Sequence, residues 1–173
     1  MAPKTSQFEY DFNKDKAVQN SSGLVYSKNV RFEQFGNFET TVKFTIAPND
    51  TPPYDDGLVF FIDTAEYKDT HSFALVCDHS SDNPDYLNLG IIIDESTYVS
   101  VPNEFLGKEL TLVGSYVGDT HEIKASITDG SQTFQVSSTY DLGPKLKDFV
   151  SVGLTTYPTN IDVSYWAFNA TAP

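Results

Sequence analysis

Three short stretches of the chain gather oxygen acceptors, amide donors and an aromatic ring. The first is Asp55-Asp56-Gly57, at the head of the apolar run "YDDGLVFFID". The second is "CDHSSDNPDYLN", which holds Asp78, Asp82, Asn83 and Asp85 within eight positions. The third is "TTYPTN", residues 155–160, with Thr156 and Tyr157. Taken singly, each reads as a solvated surface loop. Together they offer the mix that a neutral polyol needs. Carboxylates accept from hydroxyls, amides donate to ring oxygens, and an aromatic face covers the C–H side of a sugar ring.

Catalytic constellations are harder to find. His71, His79 and His121 are scattered and form no metal-spaced pair. There is no Gly-x-Ser-x-Gly elbow and no phosphate-cradling glycine loop. The Glu-x-Asp-x-x-Glu strand of one common type of β-sandwich glycosidase is missing as well. Most glutamates stand opposite apolar strand positions, as on a wet face. Paired carboxylates from distant strands stay open, because spatial pairs are not visible in a sequence. Cys77 lies in the apolar run "FALVC" and reads as a small buried hydrophobe rather than a nucleophile. The residues favour binding over turnover.

These loops need a scaffold, and composition bounds it. A chain of 173 residues fits one domain over 1–173, with enough length to bury a core. Aromatic residues at 14% place it among globular proteins. With 24 acidic against 11 basic residues the net charge is −13. That charge repels phosphate backbones and anionic lipid, so neither nucleic acid nor a membrane surface is an expected partner. Cys77 is the sole cysteine, so no internal disulfide forms. No apolar stretch approaches a membrane span, and "MAPKTSQFEYDF" has no signal-peptide apolar region. The expectation is a soluble protein, cytoplasmic or exported without such a signal.

Strand signals recur along the whole chain. "FETTVKFTI" alternates with Phe38, Thr40, Val42, Phe44 and Ile46 on one face. "THEIKASIT" does the same with Ile123, Ala125 and Ile127. Period two with one wet face predicts half-exposed antiparallel strands. "GLVFFI" and "LGIII" are apolar on both faces, as central strands covered on both sides would be. "GDT" at 118–120 and "DGS" at 129–131 predict tight hairpin turns. "GPKLKDF" predicts one helical turn started by Pro144. In "IDVSYWAF", strict alternation puts Asp162, Ser164, Trp166 and Phe168 on one face, with Trp166 a core residue. About a dozen strands without a real helix predict an all-β fold of two antiparallel sheets packed face to face, with a single barrel as the competing architecture.

A family resemblance accompanies these patterns. "YDDGLVFFID" resembles the Asp-Gly-Leu-Ala-Phe-Phe strand of the L-type, or legume-type, lectins. "VSVGLTTYPTNIDVSYWAF" looks like their C-terminal signature, and "YSKNVRFEQFGNFETTVKFTI" is similar to their early strand pair. "FALVCDHSSDNPDYLNLGIIID" falls where the family places its metal and sugar loop. The four segments occur in the family's order and cover most of the chain.

The resemblance implies a concanavalin-like jelly roll with one sugar site at the end of its curved sheet. It implies a ligand set of Asp56, Gly57, Asp82, Asn83, Thr156 and Tyr157. Asp56 falls on the family's sugar-binding aspartate, Asn83 or Asp82 on its amide, and Tyr157 in its specificity loop. The peptide before that aspartate, often cis in the family, is Asp55–Asp56 here. The chain also departs from the pattern. Val76 and Asn88 stand where the family has a glutamate and a histidine for manganese, so no manganese site is expected. Asp78, Asp82 and Asp85 offer oxygens for calcium, and a site without any metal stays open. "DTAEYKDTHS" replaces the family's glycine-rich loop, so sugar specificity does not carry over.

The resulting expectation is a carbohydrate-binding lectin without catalytic activity, with glycans or glycoproteins as partners. Shallow sites of this kind bind single sugars weakly, so a homo-oligomer would supply strength through effective concentration. The alternatives are a glycan hydrolase or lyase on the same sandwich, or a structural or adhesion module that has lost the sugar.

Overall fold

The alternating segments fold into strands whose apolar sides meet. The computed structural model describes residues 5–11, 19–20, 23–32, 36–48, 56–64, 73–79, 86–144, 148–157 and 161–171. The strands are β1 (Thr5–Asp11), β2 (Gln19–Asn20), β3 (Gly23–Phe32), β4 (Asn37–Ile46), β5 (Asp56–Thr64), β6 (Phe73–His79) and β7 (Tyr86–Ile92). They continue with β8 (Ser96–Pro102), β9 (Glu109–Val117), β10 (Glu122–Thr128), β11 (Thr133–Thr139), β12 (Asp148–Tyr157) and β13 (Ile161–Thr171). A single 3-10 turn at Asn103–Phe105 is the only helical element among the described residues. In the segment expected to form a helical turn, residues 145–147 lie outside the described residues, and Asp148 and Phe149 already belong to β12.

Six strands form one sheet in the order β1-β13-β4-β9-β10-β11, and seven form the other in the order β2-β3-β12-β5-β6-β7-β8. The pairings within them are antiparallel. This is a sandwich of two open sheets and not a closed barrel. The six-stranded sheet keeps the predicted alternation: Phe38, Thr40, Val42, Phe44 and Ile46 are all buried, as are Ile123, Ala125 and Ile127. Against them pack Leu58, Phe60 and Ile62 of β5, Phe73, Leu75 and Cys77 of β6, and Leu87, Leu89 and Ile91 of β7. Burying each of these leucine, isoleucine, valine and phenylalanine side chains contributes about 1.5–3 kcal/mol.

Aromatic rings fill the space between the sheets. Phe38 meets Phe73 edge-on at 5.7 Å and stacks with Phe168 at 6.0 Å. Phe60 meets Trp166 edge-on at 6.4 Å. Trp166 is wholly buried, as the sequence predicts, and its Nε1–H donates to Thr40 Oγ1 at 2.9 Å. The Thr40 hydroxyl donates in turn to the carbonyl of Ala167 at 3.1 Å. A polar group shut away from water must be satisfied in this way. Gly114 of β9 marks a close approach of the sheets, because a β-carbon there would lie 2.1 Å from Leu75 Cδ1.

One facing pattern is corrected. Strict alternation groups Asp162 and Ser164 with Trp166 and Phe168, yet Asp162 is exposed while Ile161 and Val163 are buried. The register against β4 shifts between Val163 and Tyr165. The extra residue, Ser164, changes the phase of the strand, so the core takes Ile161 and Val163 before the bulge and Trp166, Phe168 and Ala170 after it. The Ser164 hydroxyl donates to the Lys43 carbonyl at 3.3 Å.

Candidate functional site

The strand register decides whether the three polar stretches meet. Gly57 pairs with Asp78 across β5 and β6, and with Tyr157 across β5 and β12. Asp56 pairs with His79. Asp78 also pairs with Asn88 of β7, and Asn88 with Ser100 of β8. Tyr157, Gly57, Asp78, Asn88 and Ser100 thus form one continuous row across five neighbouring strands at one end of the seven-stranded sheet. Segments separated by some twenty to a hundred positions in the chain arrive side by side here, as sequence order alone does not reveal.

Alternation along these strands sorts the described side chains by face. Leu87, Leu89 and Ile91 of β7 point into the main core, which leaves Tyr86, Asn88, Gly90 and Ile92 on the outer face. On β6, Cys77 and His79 follow the inward phase, and Asp78 follows the outward phase with Ala74 and Val76. Val59, Phe61, Ala74 and Val76 form a second, smaller buried cluster on the outer face, with Ile92 packed against it.

Asp78 is half-buried, and its Oδ1 is closed off from solvent, as is Nδ1 of His79. His79, which the sequence leaves among scattered histidines, is buried at 2% exposure opposite Asp56. Only the register would have found it. Gly57 is buried between its two neighbours in the row. Thr156 is also buried, in the inward phase of Leu154 and paired with Leu58, so it shapes the interior beneath the row rather than its outer surface. The side chains of Asp56 and Tyr157 lie outside the described residues, as do Asp55, Asp82, Asn83 and Asp85. β6 ends with His79 and β7 begins with Tyr86 at this same end.

Cys77 adjoins the row but faces inward and is wholly buried. Burial, and secondly the charge of Asp78, pushes its thiol far above the usual range. A thiol held neutral in this way is inert as a nucleophile or metal ligand. Among the described residues, no three His, Cys, Asp or Glu side chains gather as a metal-binding group. The Val76 side chain, at a position the family pattern gives to a manganese ligand, packs in the outer cluster. The row therefore presents one half-buried carboxylate, a carboxamide and a hydroxyl, set along an apolar cluster. That arrangement can exchange hydrogen bonds with a neutral hydroxylated ligand.

No family model and no curated protein matches the sequence. Solved structures do match the fold. The basic winged bean lectin in its structure with Tn-antigen is 16% identical, with a TM-score of 0.72, over 98% of this chain and 100% of that one. Peanut lectin, solved with a 9mer peptide, is 17% identical with a TM-score of 0.73, over 97% and 98%. The CBM2 module of the evolved Dit of Lactobacillus casei BL23 phage J-1 is 11% identical with a TM-score of 0.69, over 100% and 99%. At these identities the likeness is one of architecture, and what it establishes is that this divergent sequence adopts the jelly-roll sandwich of the legume lectins.

Proposed function

We propose that the chain binds neutral glycans, without turning them over, at the β12–β5–β6–β7 end of the seven-stranded sheet. The observation that carries this reading is the register that sets Gly57 between Tyr157 and Asp78, with Asp56 beside His79. Gly57, Asp78 and Tyr157, one from each of the three polar stretches, thereby stand side by side. Asp56 accepts hydrogen bonds from sugar hydroxyls, Asn83 or Asp82 completes the polar contacts, and Tyr157 covers the apolar side of the ring. The winged bean lectin solved with Tn-antigen, a fold relative, supports this choice of ligand class.

A glycan array with the parent protein and Asp56→Ala tests it. Binding by the parent that Asp56→Ala abolishes is the expected result. Hydrolysis or cleavage of an arrayed glycan would replace binding with catalysis, and silence of the parent would leave a structural module.

Calcium forms part of the same proposal. Asp78, Asp82 and Asp85 carry the hard oxygen donors that calcium takes, and Asp78 stands in the row next to Asn88. Bound there, the ion would tie these carboxylates together beside the sugar contacts. EDTA is expected to lower the melting temperature and weaken array binding. An unchanged melting temperature assigns the sugar site to protein groups alone. Multivalency would raise the strength of a shallow site, so the protein is expected to elute larger than a monomer in size-exclusion chromatography.

A further inference from the structure

The outer face of the seven-stranded sheet has two unlike halves. Over β5 and β6 it is covered, with Val59, Phe61, Ala74 and Val76 at 2–8% exposure. Over β7 and β8 it opens. Tyr86 is 42% exposed and Tyr98 48%. Between them on the same face stand Asn88, half-buried, and Ser100, exposed. Tyr98 pairs with Gly90, four positions along β7 from Tyr86, which separates the two tyrosines by about 14 Å at the usual rise of a strand.

Gly90 is what allows Tyr98 to lie as it does. A β-carbon on Gly90 would stand 2.3 Å from Tyr98 Cε1 and 2.4 Å from Cδ1. The ring thus occupies the space a β7 side chain would fill, held against the sheet with much of its surface still in water. Aromatic cover of a strand glycine stabilises a sheet on its own account. That need is met by a ring alone and does not require a second exposed tyrosine on the same face, nor a carboxamide and a hydroxyl between the two.

We propose that Tyr86, Asn88, Tyr98 and Ser100 form a subsite for a neutral oligosaccharide that continues from the loop end. The proposal rests on the glycan reading above and extends it from single sugars to chains. Asn88 belongs to both regions, because it is paired with Asp78 on one side and Ser100 on the other. A chain leaving the row at Asp78 and crossing the sheet therefore runs onto the tyrosine strip. The tyrosine rings receive the C–H faces of the sugars, and Asn88 and Ser100 exchange hydrogen bonds with the hydroxyls. The net charge of −13 and the adjacent Asp78 select a neutral chain over a sulfated or uronic one.

The test is calorimetric titration with gluco-, manno- and galacto-oligosaccharide ladders, from the monosaccharide upward. For the parent, affinity is expected to rise with chain length, because the second contact is intramolecular. Tyr98→Ala should flatten that rise, losing about tenfold on the longest chains, the size of one aromatic contact, with the monosaccharide unaffected. Tyr98→Phe should keep the rise, and Tyr86→Ala should lower it without touching the Gly90 contact. Asp56→Ala should weaken every length. Length dependence that survives both Tyr98→Ala and Tyr86→Ala would overturn the subsite and leave the loop site standing. A parent that binds no ladder would overturn both.

Discussion

The two sheets bury their strands by different rules. In the six-stranded sheet, β4 and β10 turn one face to the core and the other toward water. Ile123, Ala125 and Ile127 are fully buried, while Lys124 between them is exposed. In the seven-stranded sheet, β5 and β6 are buried on both faces, the main core on one side and the Val59–Phe61–Ala74–Val76 cluster on the other. A strand with one wet face displays its orientation in its own sequence. A strand apolar on both faces does not, and only its neighbours determine which side each residue serves. The polar row that gathers the candidate site sits at the end of this second kind of strand.

The largest expected effect comes from the interior that both sheets share. Phe60 is fully buried and meets Phe73, Trp166 and Phe168. Phe60→Ala should cost about 3–5 kcal/mol in chemical denaturation, from lost burial and the cavity left behind. A cost below about 1 kcal/mol would mean that the aromatic cluster repacks freely.

Phe61 faces the outer side of β5 and is 8% exposed. If that face is covered, Phe61→Ala should cost roughly 3 kcal/mol. Lys124→Ala, at an outward position of the six-stranded sheet, should stay within about 0.5 kcal/mol, since its partner Glu122 is also a surface group. Equal and small costs at the two positions would erase the difference between the sheets.

The same contrast explains what the sequence reveals. The sandwich is legible because alternation in "FETTVKFTI" and "THEIKASIT" marks inward faces directly, and the doubly apolar "GLVFFI" marks a covered central strand. The hairpin turns are legible through their glycines and aspartates. The bulge at Ser164 is not, because a phase change leaves no composition signal, and Trp166 is placed in the core despite it by its size. For the site, the sequence offers the residue types but not their adjacency. Thr156 looks like a loop residue beside "YPTN", yet it lies inside the sheet with its side chain buried. Tyr98 reads as an ordinary strand residue until Gly90 is found opposite it. A glycine within a strand was the available signal, since it often marks a close approach from a neighbour.

Gly90 gives the third test, on the open half of the outer face. Gly90→Ala forces the Tyr98 ring aside, at a cost of about 1 kcal/mol, because the displaced group is the end of a flexible side chain. In the Tyr98→Ala background the same substitution should cost less than it does alone, giving a measurable coupling between the two sites. Strict additivity would show that the ring does not rest there in solution.

The smallest effect belongs to a turn of the six-stranded sheet. Between β10 and β11, Asp129 Oδ1 accepts from the backbone N–H of Ser131 and of Gln132, both at 2.9 Å, and Gly130 takes a positive φ of 92°. Lys108 Nζ donates to Asp129 Oδ2 at 2.7 Å. The ammonium of Lys108 first, and then these backbone donors, hold the Asp129 carboxyl below the usual carboxylate range. A carboxyl lowered on folding contributes stability above its unfolded value, near 4, and loses that contribution as pH falls through its folded value. Asp129→Ala should therefore melt slightly below the parent at neutral pH, and the gap should close in strong acid. Salt should narrow it as well, because the ammonium of Lys108 is half in water, with 48% of its side chain exposed. The backbone bonds of the turn are less sensitive to salt, so the part of the gap that survives high salt separates the turn from the ion pair. The loop end of the other sheet should respond in the opposite order, unmoved by this substitution and sensitive to EDTA, if the two sheets divide between them the work of closing the sandwich and of binding its ligand.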